Sequence, residues 1–298
     1  MTTPDPREQV TEAARGLAAG GRYSLGRLGL DAILWVGLAS VGEASGHPAV
    51  VLVCAFLIGA FPLHDVLVHG HEAMHGNASR HAGLNAAVLW ATHALVGISG
   101  RAHRSFHFDH HRFVGTDRDP EHRIHGAVGG RTTWRGLLRI VALAHLFVNG
   151  HVWRGAVTRV TVAQVAVDLL GACALHIALI AALGPRLWLV YGVIPAVTGL
   201  PLVAALRAAA EHLSPRVEDL AGTRLYRARR MGQLAWSNVD HHVEHHLAPA
   251  VPFHRLPELR ERLQPLYRER GIEMDPGLFR TALTVTADAL AGGGADRN

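Results

Sequence analysis

The chain has 298 residues, 49% hydrophobic and only 18% charged, so membrane residence is the first property to test. Its formal net charge is +5 and all 29 basic residues are arginine, but they are dispersed and no basic helix is interleaved with aromatics. That pattern argues against a nucleic-acid surface and for contact with an anionic membrane face. Cys54 and Cys173 lie in apolar runs without a Cys-x-x-Cys partner, which excludes a disulfide framework, a zinc ribbon and an iron-sulfur site.

In chain order, the first 25 residues carry Asp5, Glu8 and Glu12 without an apolar core, so no signal peptide is expected. Four segments, residues 28–41, 48–68, 160–183 and 187–206, are apolar enough to enter a bilayer. The short connections 42–47 and 184–186 pair them into two helical hairpins. Residues 84–99 and 136–153 are apolar with polar interruptions and predict helices lying at the membrane surface. Residues 256–270 and 276–290 predict two further helices, and 292–298 a flexible tail.

Charge sets the orientation. Arg7, Arg15, Arg22 and Arg27 precede the first hairpin, Arg101, Arg104, Arg112 and Arg131 follow it, and Arg207, Arg216, Arg224, Arg227, Arg229 and Arg230 follow the second, while the tips hold only Arg186. By the positive-inside rule both termini and the middle segment are cytoplasmic, as in a protein of a bacterial inner membrane. The expected architecture is therefore all-α, a single domain over residues 1–291 with four transmembrane helices and a cytoplasmic helical cap, residues 69–159 and 207–291.

Three histidine clusters fall on that cytoplasmic side: His71-Glu-Ala-Met-His75, His107-Phe-Asp-His110-His111 and His242-Val-Glu-His245-His246. Residues three and four apart share a helical face, so each cluster aims its rings at a common region. Imidazole suits zinc, iron, copper and nickel, and eight rings exceed what one ion takes, so the set calls for at least two metal ions. Only a topology with all three clusters on one side lets them share a site.

These boxes resemble those of the membrane fatty acid desaturase superfamily, the non-haem di-iron enzymes that include lipid hydroxylases and carotenoid ketolases. The resemblance spans about residues 65–259 and continues in the Pro249, Pro252, Phe253, His254, Pro257 tail of the third box. It implies that His71, His75, His107, His110, His111, His242, His245 and His246 are metal ligands, and that His212, in the Arg207-Ala-Ala-Ala-Glu211-His212 stretch, is a ninth. It also implies two iron ions, dioxygen as co-substrate and oxidation of an unactivated C–H bond of a lipid. Loss of a second hydrogen gives a double bond, most simply in a fatty acyl chain, and return of oxygen gives a hydroxylated or ketolated product. The His71–Gly76 run and the Gly115–Pro120 run after the second box are as similar to carotenoid ketolases and hydroxylases as to acyl desaturases.

Glu72, Asp109, Glu211, Asn238, Asp240 and Glu244 lie near enough in sequence to orient the rings. His103 and His241 adjoin the boxes as further possible ligands, whereas His93, His145, His151 and His176 read as structural. Asp168, inside an apolar segment, calls for a hydrogen-bonded role or a polar substrate contact. The chain has no His-Pro-Gly-Gly, no Gly-x-Gly-x-x-Gly and no cysteine cluster, so electrons are expected from a separate ferredoxin, rubredoxin or cytochrome on the arginine-rich face. Two rivals stand beside this reading. His71-Glu72-Ala-Met-His75 also satisfies the H-E-x-x-H motif of zinc proteases, with Glu72 as base, and a histidine-rich metal carrier would need no catalysis. The first leaves two boxes idle; the second expects ligands along a midplane path rather than at span ends.

Overall fold

The computed structural model describes residues 5–17, 22–121, 145–212 and 222–290. Among these the fold is helical, with one isolated β-bridge between Tyr226 and Asp275. The short helix α1 (Pro6–Ala14) precedes α2 (Tyr23–Ser45), α3 (Pro48–Met74), α4 (Ala82–Ala94) and α5 (Gly100–Phe113). Then come α6 (Val162–Trp188), α7 (Ile194–Val197), α8 (Gly199–His212), α9 (Arg230–Ala235), α10 (His242–Leu247), α11 (Leu256–Glu269) and α12 (Leu278–Leu290).

Three helical stretches are long and apolar enough to cross a membrane: Tyr23–Ser45, Pro48–Met74 and Val162–His212. Each outruns the apolar segment read from the sequence, because polar residues continue the same helix. The first histidine box thus lies on α3 itself, and the third stretch runs on to His212. Outward side chains such as Ile33, Val36, Leu170 and Ile177 are about two-thirds exposed (69%, 66%, 69% and 67%), the pattern of a surface solvated by lipid tails.

The α2–α3 turn follows from local chemistry. Gly46 ends α2 at φ 61°, the left-handed position glycine takes without strain, and His47 caps α3 by accepting the Ala49 N–H ahead of Pro48. Val162–His212 is not one straight rod. Gly184 is non-helical at φ 80°, ψ 155°, and the Trp188 indole donates to His176 Nδ1 at 3.0 Å although twelve residues separate them; a straight helix would hold them about 18 Å apart. The two reversals meet where Arg186 forms a bidentate pair with Glu43 at 2.7 and 3.1 Å and Tyr191 donates to the same carboxylate.

The two long elements touch through glycine. A Cβ on Gly59 would collide with the backbone of Pro195 and Leu200, and one on Gly199 with that of Phe56 and Ala60. Both chains widen into π-turns nearby, at Gly59–Leu63 around Pro62 and at Leu189–Val193. This backbone-to-backbone approach is the small-residue contact of helices packing in lipid. Beyond it, α11 and α12 close over the helix ends with Phe253, Leu256, Leu259, Leu263 and Ala282 in the largest buried core. Of the helices expected there, the first corresponds to α4; half of the second, residues 136–144, lies outside the described residues, and residues 145–153 are helical, ending in the 3-10 turn Gly150–Trp153.

Candidate metal centre

Four elements deliver nine histidines to one end of the helices. His71 stands on the last turn of α3 and His75 at its C-cap, before Gly76 turns the chain at φ 79°. In α5, Ser99 caps the first turn through the Ala102 N–H. Asp168 of α6 holds that cap by accepting from Ser99 Oγ at 2.7 Å and pairing with Arg101 at 3.1 Å. His212 is the last residue of α8, and α10 carries His242, His245 and His246 after a turn in which Ser237 and Asn238 take φ 48° and 66°.

The nine rings sort into two groups, each with ring nitrogens within 4.8 Å of one another: His71, His75, His107, His111 and His245 in one, His110, His212, His242 and His246 in the other. Helix geometry explains the division. In both H-x-x-H-H boxes the i, i+4 pair stays together, His107 with His111 and His242 with His246, while the middle residue crosses to the other group. The groups adjoin, with His111 stacked on His246 at 4.2 Å between centroids.

The spacing fits metal ligation better than hydrogen bonding. In the five-ring group the Nε2 atoms run His71–His245 3.0 Å, His245–His111 3.0 Å, His111–His107 2.8 Å and His107–His75 2.8 Å. His245, His111 and His107 therefore each face two neighbours with a single in-plane lobe that serves one partner. In the four-ring group His242 Nε2 likewise faces His212 at 2.8 Å and His246 at 3.1 Å, while the buried Nε2 of His110 has no hydrogen-bond partner. Ligands about 2.1 Å from one ion and at right angles to each other stand about 3.0 Å apart, so these separations match what a shared ion would require.

The two groups have different surroundings. His110 Nδ1 meets Asp119 Oδ1 at 2.9 Å with Glu121 at 3.9 Å, and Glu211 Oε2 approaches His242 Nε2 at 3.5 Å. Glu211 is itself held by Arg207 at 3.0 Å and by the Tyr226 hydroxyl at 2.9 Å. The five-ring group has no such neighbour among the expected carboxylates. Glu72, adjacent in sequence to His71, accepts the Phe253 N–H at 3.1 Å and Asn77 at 3.5 Å. It ties α3 to the segment after the third box instead of touching a ring.

Electrostatics follow. Burial, then repulsion among the rings, holds His107, His242, His245 and His246 well below the ordinary histidine range. Burial and Arg104 lower His75 to about 4. These rings are neutral at physiological pH, the form a metal needs. At His110 burial also lowers the pKa, but Glu121, Asp119 and Glu211 outweigh it and push the ring up to about 9.

The other expected residues sit around this centre. Asp109 accepts His151 Nε2 at 2.7 Å and the N–H groups of Ala156 and Val157, pinning α5 to the chain before α6. Glu244 faces away from the rings toward Arg260, at 2.7 and 2.8 Å, and the Tyr267 hydroxyl at 2.6 Å. Against the cost of burial that pair holds its carboxylate below the usual range. Asp240 packs its carboxylate on Gly232, and burial raises its pKa. His103 bonds His93 at 2.7 Å and His241 lies near Gln233; neither joins a ring group. Sequence reasoning missed Asp119 as a ring partner. The signal was the Gly115 turn, φ 75°, which brings the chain back alongside α5.

The helices and the paired imidazole groups define a membrane-type helical protein built around a candidate two-metal centre. The fatty acid desaturase family model matches residues 46–277, and the chain belongs to that family. It is also similar to the beta-carotene ketolase of Paracoccus sp. (strain PC1), 28% identical over 233 residues that cover 74% of this chain and 83% of the relative.

Proposed function

We propose that this protein is an O2-dependent oxidoreductase of the membrane di-iron class, with one iron held by His71, His75, His107, His111 and His245 and the other by His110, His212, His242 and His246. The observation that carries the reading is the division of nine histidines into two groups with ligand-like Nε2 spacing. Bound there, the irons would supply the activation of dioxygen that attacks an unactivated C–H bond. The protein's share is positioning. Asp119 fixes the His110 ring with Nε2 turned inward, and Glu211, clamped by Arg207 and Tyr226, sets the anionic side of the four-ring group. Phe253, fully buried and in ring contact with His71 and His245, keeps water from that edge.

In this reading Gly184 divides the third long stretch into two arms, which with α2 and α3 make four spans in two hairpins. The boxes lie at their cytoplasmic ends under a cap of the remaining helices. The substrate is a membrane lipid reaching the centre between the spans, and electrons come from an external ferredoxin, rubredoxin or cytochrome. Family membership favours a fatty acyl chain and double-bond formation. The ketolase relative favours a second outcome, oxygen insertion into a carotenoid. The zinc-protease reading loses its base, since Glu72 is spent on Phe253 and Asn77.

Expression in a host that makes both membrane lipids and carotenoids, followed by mass spectrometry of each, tests the proposal. Loss of two hydrogens from acyl chains supports desaturation, and gain of oxygen on a carotenoid supports the second outcome. A change in neither, with a competent electron donor present and iron bound, would overturn both.

A further inference from the structure

Outside the two imidazole groups, Asp31 of α2 and Asp65 and His69 of α3 bring ligand atoms within 4.8 Å of one another. All three are buried, at 1%, 0% and 0% exposure. Asp31 Oδ2, Asp65 Oδ1 and His69 Nδ1 each lack a hydrogen-bond partner. One unsatisfied donor or acceptor in a buried site is costly, and these three belong to side chains that two helices bring together, so that one shared ligand would satisfy them.

The remaining atoms are already committed. Asp65 Oδ2 accepts Arg27 Nη2 at 2.6 Å and Ser237 Oγ at 3.0 Å, and His69 Nε2 faces Ser237 Oγ at 3.0 Å. With Nε2 engaged, His69 has only Nδ1 to offer. With Oδ2 engaged, Asp65 has only Oδ1.

We infer that Asp31, Asp65 and His69 form a third, mononuclear site for a divalent first-row cation, zinc or manganese by its two-carboxylate, one-imidazole donor set. The ion cross-links α2 to the box-one helix two residues before His71, with Ser237 and Arg27 orienting its ligands. It braces α2 against α3 and does not depend on the oxidoreductase reading.

The test is a metal count on the purified full-length chain in detergent, by mass spectrometry of the elements. The expected result is one equivalent beyond the metal of the histidine groups. It is lost in D31N, while the metal of the histidine groups and the helical circular dichroism stay unchanged. H245A should show the converse, keeping the extra equivalent while metal is lost from the five-ring group. Should D31N fail to fold, the wild-type chain decides. Dialysed against a mild chelator that leaves the histidine-group metal in place, it should take back one equivalent of Zn2+ or Mn2+ on gel filtration. No such uptake, an extra equivalent that survives D31N, or an infrared band of a protonated carboxyl that disappears in D31N would overturn the proposal, because Asp31 would then hold a proton instead of a cation.

Discussion

The five-ring and four-ring groups use the same side chain at the same spacing, yet only one is surrounded by acid. Asp119, Glu121 and Glu211 crowd the four-ring group, whereas the charge that burial leaves acting on the five-ring group comes from other imidazoles and from arginines. Carboxylates that hydrogen-bond a ligating imidazole raise its basicity and hold an ion's charge more tightly. The two sites are therefore expected to differ in affinity and in pH response.

The largest effect should come from removing a ring that faces two others. His107 Nε2 lies 2.8 Å from both His75 and His111, so H107A is expected to strip metal from the five-ring group. Product formation should fall on the order of 10³-fold or more, as for members of an interdependent site. H242A, which removes the ring facing both His212 and His246, should do the same at the four-ring group. Metal analysis of both variants checks whether each loss is confined to its own group; equal loss of all metal from either variant would show that the groups are one cluster.

A smaller and one-sided effect is expected at Asp119. D119N keeps an acceptor near His110 Nδ1 but removes the charge, and affinity at the four-ring group should drop by about 10–100-fold, the range for such supporting partners. Metal at the five-ring group should be unchanged, which competition against a chelator of known affinity would measure.

Acidification should separate the groups in the same direction. With His110 pushed up to about 9 and His75 lowered to about 4, the metal-free four-ring group carries a proton that an ion must displace at neutral pH. Affinity there should fall by about tenfold per pH unit below that pKa, while the five-ring group stays level until near pH 4. The sign reverses for stability of the metal-free chain. The raised His110 contributes below pH about 6.5 and loses its contribution as pH rises toward 9; the rings held neutral contribute above about 6.5 and lose theirs as pH falls. Metal titrations and unfolding at several pH values check both statements.

The three boxes were legible because i, i+3 and i, i+4 spacing is a property of any helix, and the 5-to-4 division follows from the same rule once both H-x-x-H-H segments are helical. His212 needed the family resemblance, since one histidine at a helix end has no periodicity. Asp119 was hidden because its approach depends on the Gly115 turn, and Asp65 and His69 because their partner, Asp31, comes from another helix. Hydropathy located the long helices but not their ends. Their polar extensions are held by contacts with segments far along the chain, such as Glu211 with Tyr226, which no local pattern encodes.

The smallest effect is expected at Glu72, and it discriminates most sharply between the rival chemistries of the first box. Its carboxylate accepts the Phe253 N–H, with Asn77 Nδ2 beyond, and touches no ring of the five-ring group. Glutamine keeps the shape and an acceptor for that N–H, so E72Q loses at most part of a hydrogen bond worth about 1 kcal/mol and should change activity by about fivefold or less. A general base at Glu72 would behave differently, since its replacement removes the proton acceptor itself and typically costs about 10²–10⁴-fold. Steady-state rates of E72Q and D119N, measured together with their metal content, therefore set the two carboxylates against each other. A severe loss in E72Q at full metal occupancy would move the catalytic weight from the ring spacing to the acid between His71 and His75.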